Sequence, residues 1–358
     1  PHPLRERMTL LWHNHFATSA TKVNRLPLML RQNGLMRRHA LDRFRPLLEA
    51  MGRDPAMLLW LDGANSVKGR PNENYARELM ELFSLGVGNY QEADVKEAAR
   101  ALTGWHLDDE KAVFVTERHD EGEKTVLGQK GRWRDSDIVR IVLEHPAAGR
   151  WLARRLFRQF VSEAESPPDA LIEPLAEQLR KSDYDVAGCV RTILSSNAFY
   201  SEAAWRARVK SPVDYVVGLL RTLSASVPVD DLGDAMQGIG QSLFAPPNVK
   251  GWDGGRAWLN SATLVARHNL AWRLVGGQDG KFREHVDLAT PVKKHAGDDP
   301  TAQIGFVLNL LVEGEVSAES RKLLEKFTQD GDAAKKNHPR WLAELMHAVL
   351  LMPEYQLA

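Results

Sequence analysis

The sequence has one cysteine in 358 residues, Cys189. A lone thiol forms no internal disulfide and builds no cysteine-based zinc site, so any metal must be held by histidines and carboxylates. That count suits the cytosol and equally an exported protein that is stable without crosslinks. Long apolar runs are also missing. None approaches the roughly 20 residues of a membrane-spanning helix, and the chain as given carries no signal peptide. No charge sign dominates, because 47 Lys and Arg balance 47 Asp and Glu. The chain therefore has no global field to draw it to nucleic acid or an anionic membrane. A G-x-S-x-G elbow, H-E-x-x-H, a P-loop and a dinucleotide fingerprint are all absent, which removes the common hydrolase, zincin, kinase and dehydrogenase readings.

Hydrophobic residues make up 43% of the chain, enough for a substantial core. They recur at helical spacing: Leu4, Met8, Leu11 and His15; Leu171, Leu175 and Leu179; Leu342, Leu345 and Val349. Strand-like alternation is confined to Val113 and Val115 and, beyond Asp120-Glu121-Gly122, to Thr125–Leu127. The expected fold is all-α, a large multi-helix domain with one small β-hairpin near residues 112–128. Pro71 and Gly86 bracket one helix over about 72–85, and Gly104 ends the next, from about Asp94 to Thr103. The chain reads as a single helical domain over 1–358. If it has two lobes, the candidate seams are the polar stretches 163–168 and 227–232, and a further polar stretch spans 276–300. The abrupt start at Pro1, in helix-like sequence, is what a piece with more chain upstream would show.

Four motifs carry chemistry. In WHNHF (12–16), helical geometry turns His13 and His15 about 200° apart, so they cannot chelate one metal. His15 should face inward, and His13 should be partly exposed. A histidine on an apolar helix face is ordinarily a hydrogen-bonded core residue; the other reading is a ligand or proton carrier. Asn14, Thr18 and Ser19 are candidates to end that helix through their side chains.

In NENYARELMELFSLG (72–86), Glu73, Arg77 and Glu81 stack as a surface ion-pair ladder. Glu78 lies at the edge of the apolar face, one turn after Asn74, and needs a partner because a lone buried carboxylate costs several kcal/mol. A structural Arg or His is one option. The other is a polar pocket shared with His15, in which the two act as base and orienting group or as metal ligands.

In RHDEGEKTVLG (118–128), His119, Asp120 and Glu123 offer ligands for a divalent metal, and Lys124 offers a charge for an anion; ordinary hairpin-turn chemistry explains the same residues. In FAPPNVKGWDGGRAWLNSATLVARHN (244–269), Trp252 and Trp258 either plug the core or line a ligand groove with Asn248, Asp253, Asn260 and Asn74 of the second motif, the arrangement that suits a saccharide.

WHNHF, then LDGANSVKGRPNENYARELMELFSLGVGNY with DVKEAARALTGW, then HDEGEKTVLG, then APPNVKGWDGGRAWLNS together resemble the bacterial family of unknown function numbered 1800, DUF1800, over nearly the whole chain. The resemblance implies an exported protein of the periplasm or cell envelope, often longer at its N-terminus and often encoded beside a sulfatase-like exported partner. It transfers no catalytic role. Gln91, where Thr or Ser is expected before Asp94, departs from the family pattern at one helix cap.

Two functions follow as expectations. One is a metal-dependent or acid/base enzyme whose WHNHF, NENYARELMEL and HDEGEKT motifs form one polar cleft, with His15, Glu78 and His119 as catalysts or ligands of a divalent metal. The other is a non-catalytic envelope binding or scaffold protein that holds a saccharide or a partner protein.

Overall fold

The computed structural model describes residues 2–163, 167–225, 227–276, 287, 289–330 and 339–358. Helix signals in the sequence translate directly into caps. The Asp54 carboxylate accepts the Met57 N–H at 3.0 Å and Pro55 opens the same helix. Asp185 accepts from the Gly188 N–H and Ser211 from the Asp214 N–H, both at 3.1 Å.

The chain divides into two compact units. The first comprises Pro1–Ala204 and Phe244–Trp252. It carries α1 (Pro3–His15), α2 (Ala20–Val23), α3 (Leu26–Arg38), α4 (Phe44–Gly52), α5 (Pro55–Trp60), α6 (Asn74–Glu81) and α7 (Glu92–Ala101). The strands β1 (Trp105–Asp108), β2 (Lys111–Phe114), β3 (Lys124–Val126) and β4 (Gln129–Gly131) follow. Then come α8 (Asp135–Glu144), α9 (Pro146–Phe160), α10 (Asp169–Lys181) and α11 (Val186–Leu194). Its core joins Met8 and Trp12 to Phe44, Leu47, Leu79, Phe83, Leu152 and Leu156, all fully buried. Burial of each such side chain is worth roughly 1.5–3 kcal/mol.

The second unit comprises Trp205–Leu243 and Asp253–Ala358. It carries α12 (Pro212–Thr222), α13 (Val229–Gly238), α14 (Ser261–Val275), α15 (Ala289–Ala296), α16 (Pro300–Val312), α17 (Ala318–Asp330), α18 (Pro339–Leu351) and α19 (Pro353–Gln356). Tyr215, Leu219, Ala271, Val307, Leu308, Leu345 and Val349 form its separate core.

The mostly helical class with a small β element is what the periodicity predicts. That β element consists of two hairpins: β1 pairs antiparallel with β2 and β3 with β4. Each strand closes on its neighbour through a two-residue turn, Asp109-Glu110 or Leu127-Gly128. Leu127 and Gly128 both have positive φ, the backbone that suits a tight hairpin. Pairing Val113–Val115 with Thr125–Leu127 would have required a longer loop, at a higher closure cost.

The unit divisions fall at 204/205, 243/244 and 252/253. Neither candidate seam coincides with them. The 163–168 stretch belongs to the first unit, with 164–166 outside the described residues, and 227–232 belongs to the second and begins α13. Asp230 and Asp231 in the first turn of α13 favour its positive N-terminal end, a helix signal hidden by the stretch's polarity. The 276–300 stretch contains α15, while 277–286 and 288 lie outside the described residues.

Candidate functional site

The helix α1 delivers three consecutive polar side chains of WHNHF to three different tasks. His13 is 4% exposed, against the expectation of a partly solvated residue. Its Nε2 accepts the Phe244 N–H at 3.0 Å, and its ring lies 5.1 Å from Phe244 and 5.5 Å from Trp252. Accepting at Nε2 places the proton on Nδ1, and burial pushes the pKa down to about 4, so the ring is neutral at physiological pH.

Asn14 does not cap α1. Its Oδ1 accepts the Trp252 N–H at 2.7 Å and its Nδ2 donates to the Trp252 carbonyl at 3.3 Å, so one amide satisfies both backbone groups of one residue. Gly251 has φ +84°, and a Cβ there would collide with Asn14, so only glycine lets the backbone pass. The Ala20 N–H also donates to the Phe244 carbonyl at 2.7 Å. Segment 244–252 is thus fastened to α1 at both ends.

His15 points inward as predicted. Its Nε2–H donates to the Phe83 carbonyl at 3.0 Å among the rings of Trp12, Phe16, Phe44 and Phe83. Burial, with the nearby Arg155 guanidinium, holds its pKa well below the ordinary value. Among the described residues, no hydrogen bond or ion pair joins His15 to Glu78 or His119. Ser19 caps α2, and Thr18 donates to the Phe16 carbonyl and accepts from Gln32, whose amide also reaches the buried Asp54.

On α6, Arg77 pairs with Glu73 at 3.1 Å and with Glu92 at 2.6 Å. Glu81 is not the third rung expected of the ladder; it accepts from the Tyr90 hydroxyl at 3.0 Å. Glu78 is half-buried, and among the described residues its carboxylate takes part in no hydrogen bond or ion pair, while its carbonyl accepts the Leu82 and Phe83 N–H groups at 2.9 Å. Burial and then Glu81 raise its pKa, against the pull of Arg77 and Lys250. Asn74 is exposed and opens α6, with its N–H on the Asn72 side chain.

The HDEGEKT loop is built around an ammonium. Lys124 is buried, and its Nζ donates to the Asp120 carbonyl and, at 3.0 Å, to the Gly122 carbonyl. Arg100 binds Asp120 at 2.8 Å and Glu97 at 2.9 Å, and Arg100 holds the Asp120 carboxyl down at about 2. The His119 Nδ1 lies 2.9 Å from the Thr103 carbonyl, so that nitrogen carries the proton, and burial lowers the pKa of the ring. Glu123 pairs with Lys130 at the surface. His119, Asp120 and Glu123 therefore have three separate partners. Among the described residues, no group of three His, Cys, Asp or Glu side chains is placed to hold a metal ion.

Trp252 and Trp258 are each 7% exposed and offer no open stacking face. Asn248 accepts the Lys250 N–H at 2.8 Å and shapes its own turn, whereas Asn260 caps α14 through the Thr263 N–H at 3.0 Å. Asp253 belongs to the second unit with Trp258 and Asn260, whereas Asn248 and Trp252 belong to the first. The tryptophans follow the buried alternative.

Sequence reasoning passed over a polar cleft of about 400 Å³ in the first unit, lined by Leu85, Asn89, Ala147, Arg150, Arg154, Asp169 and Glu173. Arg150 pairs with Glu173, and Arg154 with Asp169 at 3.0 Å, one helical turn apart along α9. The Trp151 indole N–H donates to the Leu82 carbonyl at 3.2 Å and fixes the 82–90 turn against α9. Val87, at the tip of that turn, is 77% exposed. The i, i+4 spacing of Arg150 and Arg154 was visible in the sequence, but nothing there indicated that a second helix faces them.

Residues 1–357 match a family model described as a protein of unknown function, DUF1800. No curated protein and no solved structure matches the chain. No helix among the described residues is long and apolar enough to cross a membrane.

Proposed function

The chain belongs to the DUF1800 family, and on that premise we propose that it is a non-catalytic scaffold protein of the bacterial cell envelope that binds a protein partner. One observation carries this reading: the hydrogen bonds of five motif side chains go to the chain's own backbone, although Nδ1 of His13 and of His15 is buried without a partner. His13 and Asn14 hold Phe244 and Trp252, His15 holds Phe83, His119 holds Thr103, and Lys124 holds Asp120 and Gly122. Groups held this way keep a frame rigid and are poorly placed to move protons to a substrate. Burial of the loop tryptophans favours a protein partner over a saccharide, because sugar recognition relies on an open aromatic face.

The docking face in this reading is the 84–90 turn with its exposed Val87, together with the charged cleft along α9. An apolar anchor beside paired charges is the usual composition of an interface centre and its rim. The partner is an exported sulfatase-like protein. Binding of the purified pair, read by biolayer interferometry, should weaken at least tenfold in Val87→Asp and in Arg154→Glu. Unchanged affinity in both variants would remove this face from the proposal.

A second reading, acid/base catalysis at Glu78, is favoured by its raised pKa and its lack of a fixed partner. Turnover of candidate envelope substrates that is lost in Glu78→Gln, with folding intact, would establish it over the scaffold reading.

A further inference from the structure

The fourth motif ends in Arg-His-Asn, and its His268 lies on α14 in the second unit. There α14 packs on α18, and Leu270, Ala271 and Leu274 share one buried core with Leu345, Met346 and Val349. His347 of α18 is half-buried, whereas His268 is exposed. Their ring centres lie 4.6 Å apart with the planes at 69°. Trp272, one turn along α14 from His268, packs edge-on against the His347 ring at 5.1 Å.

The His347 Nε2–H donates to the His268 carbonyl at 3.2 Å, so the proton is on Nε2 and the lone pair on Nδ1. This is how a metal-binding histidine is held: a backbone carbonyl orients one ring nitrogen and the other is left as the ligand. Among the described residues, the His347 Nδ1 and both ring nitrogens of His268 take part in no hydrogen bond. Burial lowers the His347 pKa, with His268 acting in the same direction, so the ring is neutral at physiological pH and its lone pair is not lost to a proton. With metal–nitrogen bonds of roughly 2.0–2.1 Å, two imidazoles on one ion at bond angles of about 90–110° put their ring centres roughly 4.5–5.3 Å apart. The observed 4.6 Å falls inside that range. An edge-to-face ring pair accounts for the same spacing; the carbonyl-held Nε2 and the open Nδ1 are what favour a metal.

We propose that His268 and His347 bind one divalent ion of the zinc, copper and nickel class between α14 and α18, with water in its remaining positions. Imidazole suits these ions, whereas magnesium and calcium take oxygen ligands. Glu344, one turn before His347, is tied to Arg340 at 2.9 Å and leaves the site with two protein ligands. This is not the metal site expected from His15, Glu78 and His119. It lies in the second unit, goes beyond the scaffold reading and does not depend on it, because the docking face of that reading is in the first.

The experiment strips the full chain, carrying no histidine tag, of metal and titrates it with zinc chloride at pH 7.5 in competition with a chromophoric chelator. Wild type should bind one ion per chain, and excess magnesium should not displace it. His268→Asn, a change at an exposed position, should weaken binding at least tenfold. So should His347→Phe, which keeps a ring against Trp272. His106→Asn, in the first unit, should bind zinc as wild type does. Circular dichroism checks that each variant is folded. Zinc held with wild-type affinity by either folded site variant, or no stoichiometric ion in the wild type, overturns the proposal.

Discussion

Replacing Asn14 by Ala removes both hydrogen bonds to Trp252 and leaves a buried N–H and carbonyl with no partner. At about 1–3 kcal/mol for each orphaned group, urea unfolding should show a loss of roughly 2–6 kcal/mol with little change in slope. Gly251→Ala should destabilise comparably, because it forces a side chain into positive φ and into Asn14. The buried titratable groups make opposing demands as the pH falls. His13, neutral in the fold down to about 4 but protonated in the unfolded chain below 6.5, costs stability between those values. Asp54, raised by burial to about 6 against 3.8 unfolded, takes up its proton earlier in the folded chain and adds stability over the same acid range. Each effect is on the order of 3 kcal/mol at most. His15 acts in the same direction as His13. Stability measured by denaturant titration should therefore fall from pH 6.5 to 4, and fall more steeply in Asp54→Asn, where the offset is gone. A flatter profile in that variant would refute the assignment.

At the scale of elements, the HDEGEKT loop depends on Lys124 as other loops depend on a bound ion. Lys124→Met keeps the stem and deletes the ammonium, so the Asp120 and Gly122 carbonyls lose their donor. Hydrogen exchange should accelerate over 119–128 and stay slow in α8 to α11. The helices themselves were largely legible in the sequence. Pro55, Pro146 and Pro212 stand at the starts of α5, α9 and α12, and the helices expected over 72–85 and 94–103 appear as α6 and α7. At Gln91, the atypical cap before α7 is compensated by Asp94, whose carboxylate accepts the Gln91 N–H at 2.8 Å. The sequence could not reveal that His13 faces segment 244–252, because a partner more than 230 residues away leaves no local period. It read His15 correctly as inward-facing, but a carbonyl partner such as that of Phe83 has no side-chain signature to look for.

At the scale of the whole chain, the family motifs build the first unit and bring segment 244–252 back into it. A chain whose most distinctive residues hold backbone should tolerate changes at its expected catalytic positions and respond to changes on the proposed docking face. The most direct measurement is affinity for the proposed sulfatase-like partner in three purified variants, Glu78→Gln, His119→Gln and Val87→Asp, each checked for native unfolding behaviour. The account predicts affinities within about twofold of wild type for the first two and at least tenfold weaker binding for the third, a loss of about 1.4 kcal/mol or more. It is contradicted if Val87→Asp binds like wild type while the folded Glu78→Gln or His119→Gln protein loses the partner.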